Sequence, residues 1–120
     1  MLLGFKAQFA DLVERREKTQ SIRARGDRFK VGGHIQLYTG LRTKACRKLV
    51  ADDPVCLSVE PVVIHHHWME VDGRRLLSTE RIEMAHADGF AGYWDFATFF
   101  ADQQNHTLPW RGFLIKWGWP

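Results

Sequence analysis

Apolar and polar positions follow two different periods along this chain, and the switches between them mark its elements. From Leu3 to Phe9 the residues alternate loosely, with Leu3, Phe5, Ala7 and Phe9 on one side, and predict a first strand. Phe9 to Glu17 then places Phe9, Leu12 and Val13 at helical spacing with charge opposite, a short amphipathic helix. Lys18 to Arg25 is polar and extended, with Ile22 as its one large apolar residue. Gly26-Asp27 and Val31-Gly32-Gly33 are turn signals. His34 to Thr39 alternates Ile35 and Leu37 against Gln36 and Tyr38 and reads as a strand, followed by a basic loop from Gly40 to Lys44. Cys46 to Val50, Val55 to His65 and His67 to Val71 predict further strands, the last ending at the hairpin signal Asp72-Gly73.

Ser78 or Thr79 can cap a helix running to about His86, which Asp88-Gly89 ends, Gly89 being suited to the left-handed conformation. Tyr93 to Gln104 predicts an aromatic-rich helix, and Gly112 to Trp117 a closing strand. Several short strands with a few helices and no strand–helix–strand alternation indicate an α+β fold built on a small β-barrel. The first and last strands are expected to meet and close the sheet.

The 120 residues fit one domain, and a 45% hydrophobic, 26% charged composition is ordinary for a folded protein. The net charge of +3 permits a polyanionic partner without demanding one. Its distribution says more: Arg15, Arg16, Lys18, Arg23, Arg25, Arg28 and Lys30 crowd one stretch, and Arg42, Lys44, Arg47 and Lys48 follow. Two cysteines, Cys46 and Cys56, with no CxxC motif, read as reduced thiols of a cytoplasmic protein, with a disulfide between them left open. Met1-Leu2-Leu3 is followed at once by Gly4 and Lys6, so no secretory apolar core is expected, and no apolar run approaches a membrane span.

Five segments carry a family resemblance. Lys18-Thr19-Gln20-Ser21-Ile22-Arg23 resembles the Lys-Thr-x-Thr/Ser-Ile-Arg signature of the ASCH family. Arg28-Phe29-Lys30-Val31-Gly32 is similar to the turn before that family's second strand, and Ile35 to Lys44 to a phage- and bacteria-type branch. Ala87-Asp88-Gly89-Phe90 resembles its acidic-Gly-Phe element, and Arg111 to Trp117 its last strand. The segments occur in the family's order from end to end. Two positions depart from the pattern: Gly33 stands where an acid is usual, and Ser21 where several enzymatic members have Thr. The resemblance implies a single ASCH domain over residues 1–120 with a PUA-like β-barrel, a short N-terminal helix and two helices before the closing strand.

The family includes amidohydrolases that deacetylate N4-acetylcytidine with a Lys, a Thr and a Glu. Carried over by motif, these match Lys18, Ser21 and Asp88, which the resemblance therefore implies as catalytic. The chemistry is coherent. A lysine is a base only when neutral, and burial or a neighbouring cation such as Arg23 lowers its pKa. A neutral Lys18 can take a proton from Ser21 or from water, Asp88 can orient it, and Arg23 can polarise a carbonyl or hold a phosphate. In a straight strand Lys18 and Ser21 face opposite sides, so their convergence requires a turn at the helix-to-strand junction. Without the resemblance the same three residues read as a solvated lysine, a strand-edge hydroxyl and a helix-end acid.

Arg25, Tyr38, Arg42 and Lys44, with Arg23, are candidate substrate- or nucleic-acid-binding residues, since basic side chains beside an aromatic ring can hold phosphate while a base stacks. His65-His66-His67 has no spacing that supports a metal site, and neither metal nor cofactor is expected. The aromatics from Phe90 to Phe100 read as core rather than ligand platform, and Trp119 as the most exposed tryptophan. Three functions compete: an amide hydrolase on an N4-acylated cytidine, a non-catalytic RNA-binding module, and a ribonuclease with Lys18 and Tyr38 as candidate bases. The expected partner is RNA or a modified nucleoside, with no membrane involved.

Overall fold

The computed structural model describes residues 1–119. Its elements are β1 (Leu2–Phe5), α1 (Ala7–Glu14), β2 (Gln20–Arg23), β3 (Gln36–Thr39), β4 (Arg47–Lys48), β5 (Val55–Ile64), β6 (Met69–Val71), β7 (Arg74–Arg75), α2 (Ser78–Ala87), α3 (Tyr93–Asp102) and β8 (Trp110–Gly118). The fold is α+β, with a three-stranded sheet ordered β1-β3-β4 and a five-stranded sheet ordered β2-β8-β5-β6-β7.

β8 organises the core. Its side chains alternate between faces. Trp110 and Leu114 join an apolar cluster with Val62, Ile64, Phe96 and Phe100, whereas Ile115 and Trp117 join a second with Leu3, Phe5, Val13 and Leu37. Helices α2 and α3 thus cover one face of the larger sheet, and α1 with the smaller sheet covers the other. Gly112 is required by close approach: a side chain there would run into the Trp110 ring and the Arg23 carbonyl.

The expected pairing of first and last strands does not occur. Both edges of β8 are already taken, one by the length of β5 and one by β2 in the register Gln20↔Lys116 to Arg23↔Phe113. β1 instead pairs in parallel with β3, from Leu2↔Gln36 to Phe5↔Thr39. The expected closed barrel is also corrected. The two sheets meet on one side through the isolated bridge His34↔Val55, and among the described residues no backbone ladder joins β1 to β2 on the other. That seam is spanned by a side chain: Arg23 donates from a terminal guanidinium nitrogen to the Gly4 carbonyl at 2.6 Å.

Local signals held in several places. Asp72 and Gly73 have positive φ of 51° and 80° and connect Val71 to its ladder partner Arg74, a two-residue hairpin. Gly89 ends α2 with φ of 97°. The cap of α2 is not Ser78 or Thr79 but Leu77, whose N–H donates to the Glu80 carboxylate at 2.8 Å; Arg74 grips that carboxylate from the other side at 3.0 and 2.9 Å. Trp94, at 61% exposure, is the open tryptophan. Trp119 is covered by the Arg16 guanidinium and donates to the Asp52 carbonyl. Cys46 is exposed, Cys56 buried, and both are free. Among the described residues no helix is long and apolar enough to cross a membrane.

Candidate functional site

The β1–β2 seam opens onto a pocket of about 190 Å³, and the chain turns sharply to place Lys18 on its wall. Helix α1 ends at Glu14, Arg16 adopts a left-handed φ of 61°, and the Leu12 carbonyl accepts both the Glu17 and Lys18 N–H groups at 2.9 and 3.0 Å. A turn thus stands at the helix-to-strand junction, just before Lys18. Thr19 then accepts the Trp117 N–H at 3.1 Å, and β2 begins. Asp88 comes from the opposite direction, at the C-cap of α2, where its N–H bonds the Met84 carbonyl at 3.0 Å.

Lys18 is not a solvated lysine: it is 3% exposed, and Asp88 is 4% exposed. The Lys18 ammonium donates to the Asp88 main-chain carbonyl at 2.7 Å and to its Oδ1 at 2.9 Å. It therefore meets the carboxylate and the negative end of α2 together, an arrangement that favours the cation. The Phe9 ring, 5.2 Å from Nζ, adds to this. Burial opposes it. Desolvation pushes the Lys18 amine below its ordinary value against the pull of Asp88, and Arg23 lowers it further. Desolvation likewise raises the Asp88 carboxyl, against Lys18, Gln20 and Arg23. Both shifts run against the charged forms, in opposition to the attraction between the two groups.

Ser21 and Arg23 lie on the other face of β2 and line the same pocket. Lys18 donates to Asp88, not to Ser21, so the direct proton transfer from Ser21 to Lys18 has no hydrogen bond to follow. Instead Arg23 Nε donates to Ser21 Oγ at 2.8 Å. That bond uses a lone pair of the hydroxyl and leaves its proton free to donate into the pocket. Arg23 is pushed below its ordinary value by burial and remains a cation.

The other sequence-derived residues are less concentrated. Arg25 is exposed, pairs with Asp27 at 3.2 Å, and lines a second, open hollow with Arg23 and Arg28. Tyr38 pairs across the ladder with Lys48, and Arg42 and Lys44 are exposed; none of the three lines a described pocket. Their loop still flanks the site, because Gly40, Leu41 and Ala45 share a shallow hollow with Gly4, Phe5 and Lys6, which also line the pocket.

Sequence reasoning missed Gln20, Phe9, Phe99 and Arg28. Gln20 is buried and reaches Asp88 Oδ1 at 3.5 Å, but its sequence neighbours Thr19 and Ser21 are polar as well, so no local pattern marks it. Phe9 and Phe99 line the pocket, but a core phenylalanine and a pocket phenylalanine have the same helical spacing. Two of the three histidines are occupied with packing: His65 stacks on Trp68, and His66 stacks on Trp94 with centroids 4.0 Å apart, while His67 is exposed. Among the described residues no group of three or more His, Cys, Asp or Glu side chains could hold a metal.

Compared with protein-family models, curated proteins and solved structures, the chain matches none.

Proposed function

We propose that the chain is an ASCH-type domain of PUA-like ancestry that takes one modified nucleobase into the β1–β2 pocket and hydrolyses the amide of an N4-acylcytidine. The observation that carries this is the buried Lys18–Asp88 pair on the wall of a pocket that also holds an arginine-bound serine. At about 190 Å³ the pocket lies below the roughly 300–1,000 Å³ of sites for drug-sized ligands, which suits a single base with its small acyl group.

In this reading neutral Lys18 takes a proton from water, whose oxygen bonds the acyl carbon. The Ser21 hydroxyl and the Arg23 guanidinium hold the developing oxyanion. The carbon–N4 bond breaks, the proton passes from Lys18 to N4, and the products are a carboxylic acid and cytidine. Asp88 holds Lys18 in place and buffers its charge. Water replaces Ser21 as nucleophile here because Lys18 and Ser21 share no hydrogen bond.

A second reading, RNA binding without cleavage, is favoured by the open hollow that Arg23, Arg25 and Arg28 line beside the pocket. The ribonuclease reading has less support, since Tyr38 does not line the pocket with Lys18. Release of cytidine from N4-acetylcytidine by purified protein, beside Lys18→Ala and Ser21→Ala, tests the hydrolase. Turnover abolished in Lys18→Ala and reduced in Ser21→Ala is expected. A folded wild type without turnover removes this substrate and leaves RNA binding.

A further inference from the structure

The pocket accounts for a base, but not for the cations beside it. A separate hollow of about 360 Å³ is lined by Arg23, Arg25, Asp27, Arg28 and Phe29. Three guanidiniums face one carboxylate there. Asp27 is engaged by Arg25 at 3.2 Å. Among the described residues the hydrogen bonds of Arg23 and Arg28 go to neutral groups: Ser21 Oγ and the Gly4 carbonyl for Arg23, and the Leu2 carbonyl at 3.2 Å for Arg28. Asp88 supports the charge of Arg23 from the pocket side, and Arg28 is close enough to disfavour it from the hollow side.

Three guanidiniums against one carboxylate leave the hollow with an excess of like charge that repels itself, and a dianion placed between Arg23 and Arg28 relieves that repulsion while taking hydrogen bonds from both. Both are held before any ligand arrives. Arg23 is fixed by its two bonds, and Arg28 by the Leu2 carbonyl and by the Phe29 ring, 5.3 Å from its guanidinium carbon. Preorganised guanidiniums spend little conformational entropy on binding. Arg23 belongs to both cavities, so a ligand whose base fills the pocket has its anionic end directed to the hollow.

We infer that the Arg23–Arg28 hollow is a phosphate subsite and that the ligand of the pocket is a nucleotide rather than a free nucleoside. The substrate part of this inference rests on the nucleobase reading of the pocket; the phosphate part does not. The phosphate belongs either to a free mononucleotide or to a nucleotide within a strand.

The experiment is titration of the full chain at low salt with cytidine, cytidine monophosphate and inorganic phosphate, followed by NMR of arginine Nε–H groups. A short RNA containing the same nucleotide is run alongside. The monophosphate is expected to bind roughly tenfold or more tightly than cytidine, as hydrogen bonds to a charged group imply. Inorganic phosphate alone is expected to shift the Arg23 and Arg28 signals. Arg28→Gln should reduce the preference to near parity, and Arg28→Lys, which keeps the charge but not the fork, should retain part of it. Tighter binding of the RNA than of the monophosphate assigns the phosphate to a strand, and the reverse to a free nucleotide.

Equal affinity for cytidine and its monophosphate overturns the inference. So does a preference that survives Arg28→Gln, or an absence of shifts with inorganic phosphate. Phosphate shifts at Arg23 and Arg28, with no release of cytidine from N4-acetylcytidine by the same protein, keep the subsite and sink the hydrolase, so the two failures are distinguishable.

Discussion

Arg23 donates from Nε to the hydroxyl oxygen of Ser21 at 2.8 Å, so the serine meets the pocket as a hydrogen-bond donor rather than as a nucleophile prepared by a base. Arg23→Ala is therefore expected to lower kcat on N4-acetylcytidine on the order of a hundredfold, the typical effect of losing an oxyanion donor. Arg23→Lys, which keeps the charge but cannot reach both Ser21 and Gly4 in a fork, should fall between. Steady-state kinetics of the two variants check this, and unchanged kcat in Arg23→Ala contradicts the role.

Removing Lys18 strands Asp88. Lys18→Met is expected to destabilise the fold by about 3–5 kcal/mol at neutral pH, measured by urea denaturation. The loss should depend on pH. Burial raises the Asp88 carboxyl even with Lys18 present, and without Lys18 it rises further. A carboxyl whose folded value exceeds its unfolded one binds more protons when folded. Its contribution is fully present below the ordinary 3.8 and is lost as pH rises through the folded value. The variant should thus regain stability relative to wild type as pH falls from neutral toward about 4. A deficit that stays constant over that range contradicts the burial argument. Lys18→Met with Asp88→Leu should recover much of the loss.

Glu80 offers the opposite sign. Gripped by Arg74 and bonded to the Leu77 N–H, its carboxyl is held down to about 2, against an ordinary 4.5. Its contribution to the start of α2 is present above the ordinary value and is lost as pH falls through about 2. Carboxyl-carbon NMR should find Glu80 titrating at about 2, and well above that in Arg74→Gln.

Gly112→Ala is expected to cost about 1–3 kcal/mol, as overpacking a filled core does. The added methyl group would lie 2.5 Å from the Arg23 carbonyl oxygen and against the Trp110 ring. Because the displaced backbone is that of Arg23, ligand binding should weaken along with thermal stability. A variant that melts like wild type contradicts this close approach.

Local features of this chain were legible, and partnerships were not. The Asp72-Gly73 hairpin, the Gly89 helix end and the aromatic helix α3 depend on residues adjacent in sequence. The choice of β3 over β8 as the partner of β1 depends on which edges are left free after β5 and β2 have paired, and no local pattern encodes that. β4 and β7, of two residues each, are too short for alternation to register; one was overextended to Cys46–Val50 and the other missed. At the site, Lys18, Ser21 and Asp88 were singled out by resemblance to a motif, and the structure brings all three to one pocket. Gln20 and Arg28 lay within the same segments but carried no motif, and they gain meaning only from Asp88 and Arg23 across space.

The bond from Arg23 to the Gly4 carbonyl ties one sheet to the other where no ladder does. One side chain thus serves as architecture and as recognition, and the two roles cannot drift apart. A substitution at position 23 that suited a new ligand would also loosen the seam that shapes the pocket. Arg28 shares that obligation in a weaker form through its bond to the Leu2 carbonyl of β1, whereas Arg25 sits outside the ladders and bonds the neighbouring Asp27. Change in what this fold recognises has its freest route through position 25, with Arg23 as the fixed point around which it varies.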